Sequence, residues 1–115
     1  MKIDIARIML LSYHNDIKFE YDKEKSKSNK EKHGIDFEEA KALWFDFHVI
    51  VETQSPIEQR FLLIGKLAEK FYSCFFTVRG TNSIRFISVR CSRKLEKVRY
   101  YEQEKNQKNH RGRAG

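Results

Sequence analysis

Glycine, cysteine and long apolar runs are all scarce in this 115-residue chain, and each shortage excludes a class of function. The five glycines, Gly34, Gly65, Gly80, Gly112 and Gly115, fall in no G-x-G-x-x-G or G-K-[ST] context. The usual glycine-rich phosphate loops are therefore excluded. The two cysteines, Cys74 and Cys91, stand seventeen apart in strand-like runs, with no C-x-x-C and no matching histidine spacing. That excludes a zinc site of the common kinds, and both read as reduced thiols. At the N-terminus the longest apolar run is the four residues Ile8 to Leu11. Four residues are too few for a signal peptide or a membrane span. The reading is a cytoplasmic protein with no membrane partner.

Acidic residues are scarce in two places. From Arg79 to Arg99 there are seven Arg or Lys and one acid, Glu96, and beyond Glu104 four basic residues and no acid. The net charge of +7 is thus segregated, which favours a patch for a polyanion over general stickiness. Nine Phe, five Tyr and one Trp supply the bulk that a single small core needs.

The chain divides into a lead of residues 1–16, read as an extension that adds nothing to the domain in preference to a short extra helix or edge strand, a domain over 17–104, and a basic, disordered tail over 105–115. Ile17 to Tyr21 alternate as a short strand. Asp22 is placed to cap a helix over Lys23–Lys32 that ends at His33-Gly34. That helix has no apolar stripe, so it either lies solvated or serves a polar site. Asp36 and Glu39 form a capping box for a core helix carrying Phe37, Ala40, Leu43, Trp44 and Phe47. Strands follow at His48–Glu52, Gln59–Ile64, Phe71–Val78 and Ser83–Cys91, with links of hairpin length. A closing helix runs from Lys94 to about Gln103, with apolar Leu95, Val98 and Tyr101. The expected fold is α+β: an antiparallel sheet of four to five strands, with two helices from the N-terminal half and one C-terminal helix packed on it.

The chemistry open to these residues is metal-independent cleavage of RNA, in which the 2′-OH attacks the adjacent phosphate. Arginine suits the phosphate because its fork matches two oxygens. Strand alternation puts Arg90 and Arg85 on opposite faces unless a bulge intervenes, and Arg90 is preferred. Candidates for base or acid are His33, His48, Glu58, Tyr100 and Tyr101. Glu58 and Arg60 share a strand face; the plain alternative is a surface ion pair. A lone His33 before a glycine is more often a helix-dipole partner than a catalyst.

Taken together, the residues resemble the BrnT-like toxins. The opening signature is Phe19-Glu20-Tyr21-Asp22, Lys25-Ser26, Asn29 and the block Lys32-His33-Gly34-Ile35-Asp36-Phe37-Glu38-Glu39-Ala40. Glu58, Arg60-Phe61, Ile64-Gly65, Ile84-Arg85, Ile87-Ser88, Arg90, Glu96 and Tyr100 match in the same order. The likeness covers residues 17–102. It implies a RelE-like fold and an mRNA-cleaving ribonuclease toxin of a type II toxin–antitoxin pair that inhibits translation without metal or cofactor. It also implies a BrnA-like ribbon-helix-helix antitoxin, through which alone the toxin would reach operator DNA. Carried over onto this sequence, the catalytic set is His33, Glu58, Arg60, Arg90 and Tyr100. The RNA-binding set is Arg79, Arg85, Arg93, Lys94, Lys97 and Arg99. Three features depart from the family: residues 1–16, the basic tail, and Arg93 where relatives often carry Thr, which leaves Ser92 as a substitute cap. The alternative function is a catalytically weak module that binds the antitoxin and assists repression of its own operon.

Overall fold

The structure, a computed structural model, describes residues 4–11 and 17–113. In chain order the elements are α1 (Ile5–Leu11), β1 (Lys18–Glu20), α2 (Lys23–His33), α3 (Phe37–Ala40) followed by a 3₁₀ turn (Lys41–Phe45), β2 (His48–Thr53), β3 (Arg60–Leu67), β4 (Lys70–Arg79), β5 (Ser83–Cys91) and α4 (Lys94–Arg113). The fold is α+β, with a five-stranded sheet in the order β1-β5-β4-β3-β2.

Strands β2 to β5 form the expected antiparallel meander, but β1 pairs with β5 in parallel, Lys18 beside Ser83 and Glu20 beside Arg85. The sheet is therefore mixed. A parallel pair needs a long connection, and here the whole helical segment and the meander lie between the two strands. The β3–β4 turn is Ala68-Glu69, both at positive φ (52° and 70°), as a two-residue hairpin whose twist matches its strands requires.

Local chemistry sets the helix ends. The Asp22 carboxylate accepts from the amides of Glu24 (2.8 Å) and Lys25 (3.1 Å), and Gly34 closes α2 at φ 76°. Asp36 and Glu39 form the reciprocal capping box of α3. The expected single core helix breaks after Ala40 into the 3₁₀ turn. Phe37, Ala40, Leu43 and Trp44 still enter the main core, whereas Phe47 passes to the other side of the sheet.

Polar α2 is docked by hydrogen bonds rather than by an apolar stripe. The buried Asn29 amide donates to the carbonyls of Ile35 (2.7 Å) and Val89 (2.8 Å) and accepts from the Val89 amide (3.1 Å). The Ser26 hydroxyl accepts from the Phe37 amide at 2.9 Å. Asn29 thus takes the place of a strand neighbour on β5 where β1 has ended.

The main core, built on Phe37, Phe61, Leu63, Phe76, Ile84 and Val89, lies on the face covered by α1, α2 and α3. Ile8 is fully buried there, so the lead contributes a short helix to the domain, the alternative to an extension that adds nothing; residues 12–16 lie outside the described ones. On the other face α4 covers a smaller cluster of Val49, Leu62, Ile64 and Tyr100. This helix does not end near Gln103 but continues to Arg113, through much of the tail expected to be disordered. Leu95, Val98 and Tyr101 point largely to solvent (77%, 42% and 52% exposed), while Glu96 and Tyr100 face the sheet.

Candidate active site at the open end of the sheet

A bulge in β5 decides which arginines share a face. Phe86 pairs with Phe76 but Ser88 pairs with Phe75, so Ile87 is an extra residue in the ladder. Arg85, opposite Thr77, and Arg90, opposite Ser73, therefore project on the same side, because Ser73, Phe75 and Thr77 alternate along β4. This is the face that α4 partly covers, and its two ends differ.

At the covered end Arg90 is fully engaged. Its Nη1 and Nη2 donate to Glu96 Oε1 and Oε2, each at 2.8 Å, and Nη1 also donates to the Cys91 carbonyl at 3.1 Å. Glu96 Oε1 further accepts from the Ser73 hydroxyl (2.7 Å) and the Arg93 amide (2.8 Å). Burial alone would raise the Glu96 carboxyl, but these donors outweigh it and hold it down at about 2. The bond to the Arg93 amide keeps half of a capping box at the start of α4. Ser92, expected as the substitute cap, instead shares a hydrogen bond with Ser73 at 2.8 Å. The Arg90 guanidinium lies over the Phe75 ring, 5.2 Å from its centre.

At the open end one row crosses the sheet: Glu20 on β1, Arg85 on β5, Thr77 on β4, Arg60 on β3 and Thr53 on β2. Arg60 falls beside Thr77 because Phe61 and Phe76 are partners one step away. Here the ion pairs are long: Arg85 to Glu20 at 3.6 Å and Arg60 to Glu58 at 3.4 Å. These arginine side chains are 38% and 39% exposed, against 19% for Arg90. Arg79, exposed and two residues beyond Thr77, adds a further cation on this face. Glu58 and Thr53 also line a groove of about 730 Å³ formed by residues 52–59.

Not all the expected residues gather here. Glu58, Arg60, Arg79 and Arg85 do. His33 is exposed at the end of α2, docked along the β5 edge, and no described residue bonds to its ring. Tyr100 is a buried ring between Phe47 and Phe71, and burial raises its phenol. Arg93, Lys94, Lys97 and Arg99 are exposed on or beside the first turns of α4, with Lys97 lying over Phe71. His48 is buried at the start of β2, and burial lowers its imidazole. No described residues form a cluster of three or more metal-ligating side chains. The sequence reading missed Thr77, Phe75 and Glu20. Alternation along β4 would have put Thr77 and Phe75 on one face, but only the register shows which arginines join them.

A family model described as the ribonuclease toxin BrnT of type II toxin–antitoxin systems matches residues 21–96. Among solved structures, the 1.1 Å crystal structure of the Brucella abortus ribonuclease toxin BrnT is 21% identical, with a TM-score of 0.48, over 68% of this chain and 99% of that one. No curated protein matches. The family model spans well over half of the chain and takes in Glu58, Arg60, Arg85, Arg90 and Glu96, so this chain belongs to the BrnT family of ribonuclease toxins of type II toxin–antitoxin systems.

Proposed function

We propose that this chain is the toxin itself: an endoribonuclease that cleaves mRNA in the cytoplasm by 2′-OH attack, without a metal, and so blocks translation. The observation that carries this reading is the open end of the sheet face, where Arg60, Arg79 and Arg85 stand exposed or half-exposed and Arg60 leans on Glu58. Cations fixed on strands stabilise the phosphate as charge builds on its oxygens, and in such transfers this electrostatic effect usually contributes more than any other. Glu58 is the base that takes the 2′-OH proton, and the 5′-oxygen leaves with a proton from solvent or a neighbouring group. Arg90 and Tyr100 act indirectly: they hold α4 against the sheet and so shape the covered end. His33 has no part in the chemistry. The partner is a ribbon-helix-helix antitoxin of the BrnA kind, and the pair represses its own operon.

The test is induced expression of the chain alone in bacteria, with RNA ends mapped over the first minutes. Growth arrest with new 5′-ends that vanish in Glu58→Gln and Arg60→Ala is the expected result. Normal growth with folded protein and intact RNA overturns it.

One observation favours the second reading, a catalytically weak module. The outward Leu95 and Val98, framed by Lys94, Lys97 and Arg99, offer a protein-binding surface away from the open end. If Glu58→Gln removes toxicity and leaves antitoxin binding intact, the open end is catalytic; if both fall together, it is an interface.

A further inference from the structure

We infer that Arg60, Thr77 and Arg85 form a subsite for one phosphate of a polynucleotide backbone, with the Thr77 hydroxyl as a third donor beneath the two guanidiniums. This deepens the ribonuclease reading and rests on it for the identity of the polynucleotide. Thr77 is 4% exposed, and among the described residues nothing hydrogen-bonds its hydroxyl oxygen. A buried hydroxyl without a partner is unfavourable, and such groups are few in a folded chain. This one lies between Arg60 and Arg85, whose ion pairs on this face are long. Neighbouring strands are about 4.8 Å apart, so β3 and β5 place Arg60 and Arg85 about 10 Å apart across Thr77. From that spacing two long side chains on one face can converge above the central residue.

In the free protein each guanidinium leans on a carboxylate, Arg60 on Glu58 and Arg85 on Glu20, at 3.4 and 3.6 Å. A phosphate would replace those contacts with charge-assisted, forked hydrogen bonds, and the Thr77 hydroxyl would donate to an oxygen as the arginine side chains move aside. The bulge at Ile87 lies between Arg85 and Arg90 and is what brings both to this side of the sheet. Arg90, committed to Glu96, has no such freedom.

The experiment uses the full chain with two probes, inorganic phosphate and an uncleavable 2′-O-methyl oligoribonucleotide. Affinity and melting temperature are measured for wild type, Thr77→Val, Thr77→Ser and Arg85→Ala. Both probes are expected to bind wild type and raise its melting temperature. Thr77→Val removes an unpartnered hydroxyl at nearly constant shape, so the free variant should melt at the same temperature or higher. It should nevertheless bind the oligonucleotide about tenfold more weakly, with Thr77→Ser restoring affinity. Arg85→Ala should weaken binding further and make the salt dependence shallower by about 0.7 in logarithmic slope.

Weaker binding without lost stability in Thr77→Val is what a purely structural hydroxyl would not produce. Lower stability with unchanged affinity overturns the proposal, as does binding that is indifferent to Arg85→Ala. Binding of phosphate without the oligonucleotide assigns a small-anion site and also overturns it. Since the oligonucleotide cannot be cut, binding through this row with no RNA cleavage in cells would overturn the ribonuclease reading and leave the subsite standing.

Discussion

Arg85 and Arg90 stand five residues apart on one strand, on one face, each beside a glutamate, yet the protein holds them in opposite ways. Arg90 meets Glu96 with two bonds of 2.8 Å, and the carboxylate takes further donors from Ser73 and the Arg93 amide. Arg85 touches Glu20 at 3.6 Å and is twice as exposed. A guanidinium whose fork is filled by a well-placed carboxylate has little to offer a ligand. One that leans on an exposed carboxylate can exchange it. Each arginine meets one glutamate, so what separates the held pair from the loose one is the set of further donors around Glu96.

The largest expected effect tests the open end. Arg85→Ala and Arg60→Ala should each lower RNA cleavage by about 10²- to 10³-fold while the melting temperature changes little. The check is cleavage rate beside thermal unfolding, and a matching loss in Arg90→Ala at unchanged stability would break the comparison. Next comes the covered end. Glu96→Gln should destabilise the fold by about 2–3 kcal/mol, because Arg90 is left partly buried with a neutral partner. Urea unfolding reads this, and a neutral result would mean that packing around Tyr100 and Phe71, rather than the ion pair, holds α4.

The same pair gives a pH signature of comparable or smaller size. Glu96 is depressed in the folded state, to about 2. Its contribution is therefore fully present above the ordinary carboxylate range near 4.3 and is lost as pH falls towards 2. Stability measured over that window should fall by about 2 kcal/mol more in wild type than in Glu96→Gln. The smallest effect belongs to the outer side of α4. Leu95→Ala with Val98→Ala should change stability by less than about 0.5 kcal/mol. A larger loss would show that the outward residues of α4 are part of the packing.

The legible parts of the fold were those written in neighbouring residues. Asp22, Gly34, and Asp36 with Glu39 act within a few positions of themselves, and the β-branched run from Ser83 to Cys91 needs no distant partner to read as a strand. The unread parts depend on residues far apart in sequence. Asn29 meets Val89 sixty positions away, and that contact explains how a helix without an apolar stripe is docked. The turn of α4 that sends Leu95 outward follows from Glu96 finding Arg90 and Ser73, which outweighs the burial of one leucine. In the site, the Glu58–Arg60 contact is legible from the i, i+2 spacing, although Glu58 lies in the bend before β3 and not on the strand. Arg85 is not, because alternation alone puts it on the opposite face from Arg90, and only the extra residue at Ile87 brings the two together.

Asn29 has a consequence for solubility. A sheet edge with unmet amides and carbonyls invites another copy to add a strand, and proteins must blunt such edges. β1 covers only the first part of β5, from Ser83 to Arg85. Past that point the Asn29 amide satisfies both outward groups of Val89, so α2 shields the stretch of chain most suited to template association. Replacing Asn29 with leucine should therefore produce concentration-dependent oligomers on a sizing column before it produces unfolded monomer. A polar side chain that looks like a misfit on its helix would be what keeps the toxin from polymerising along its own edge.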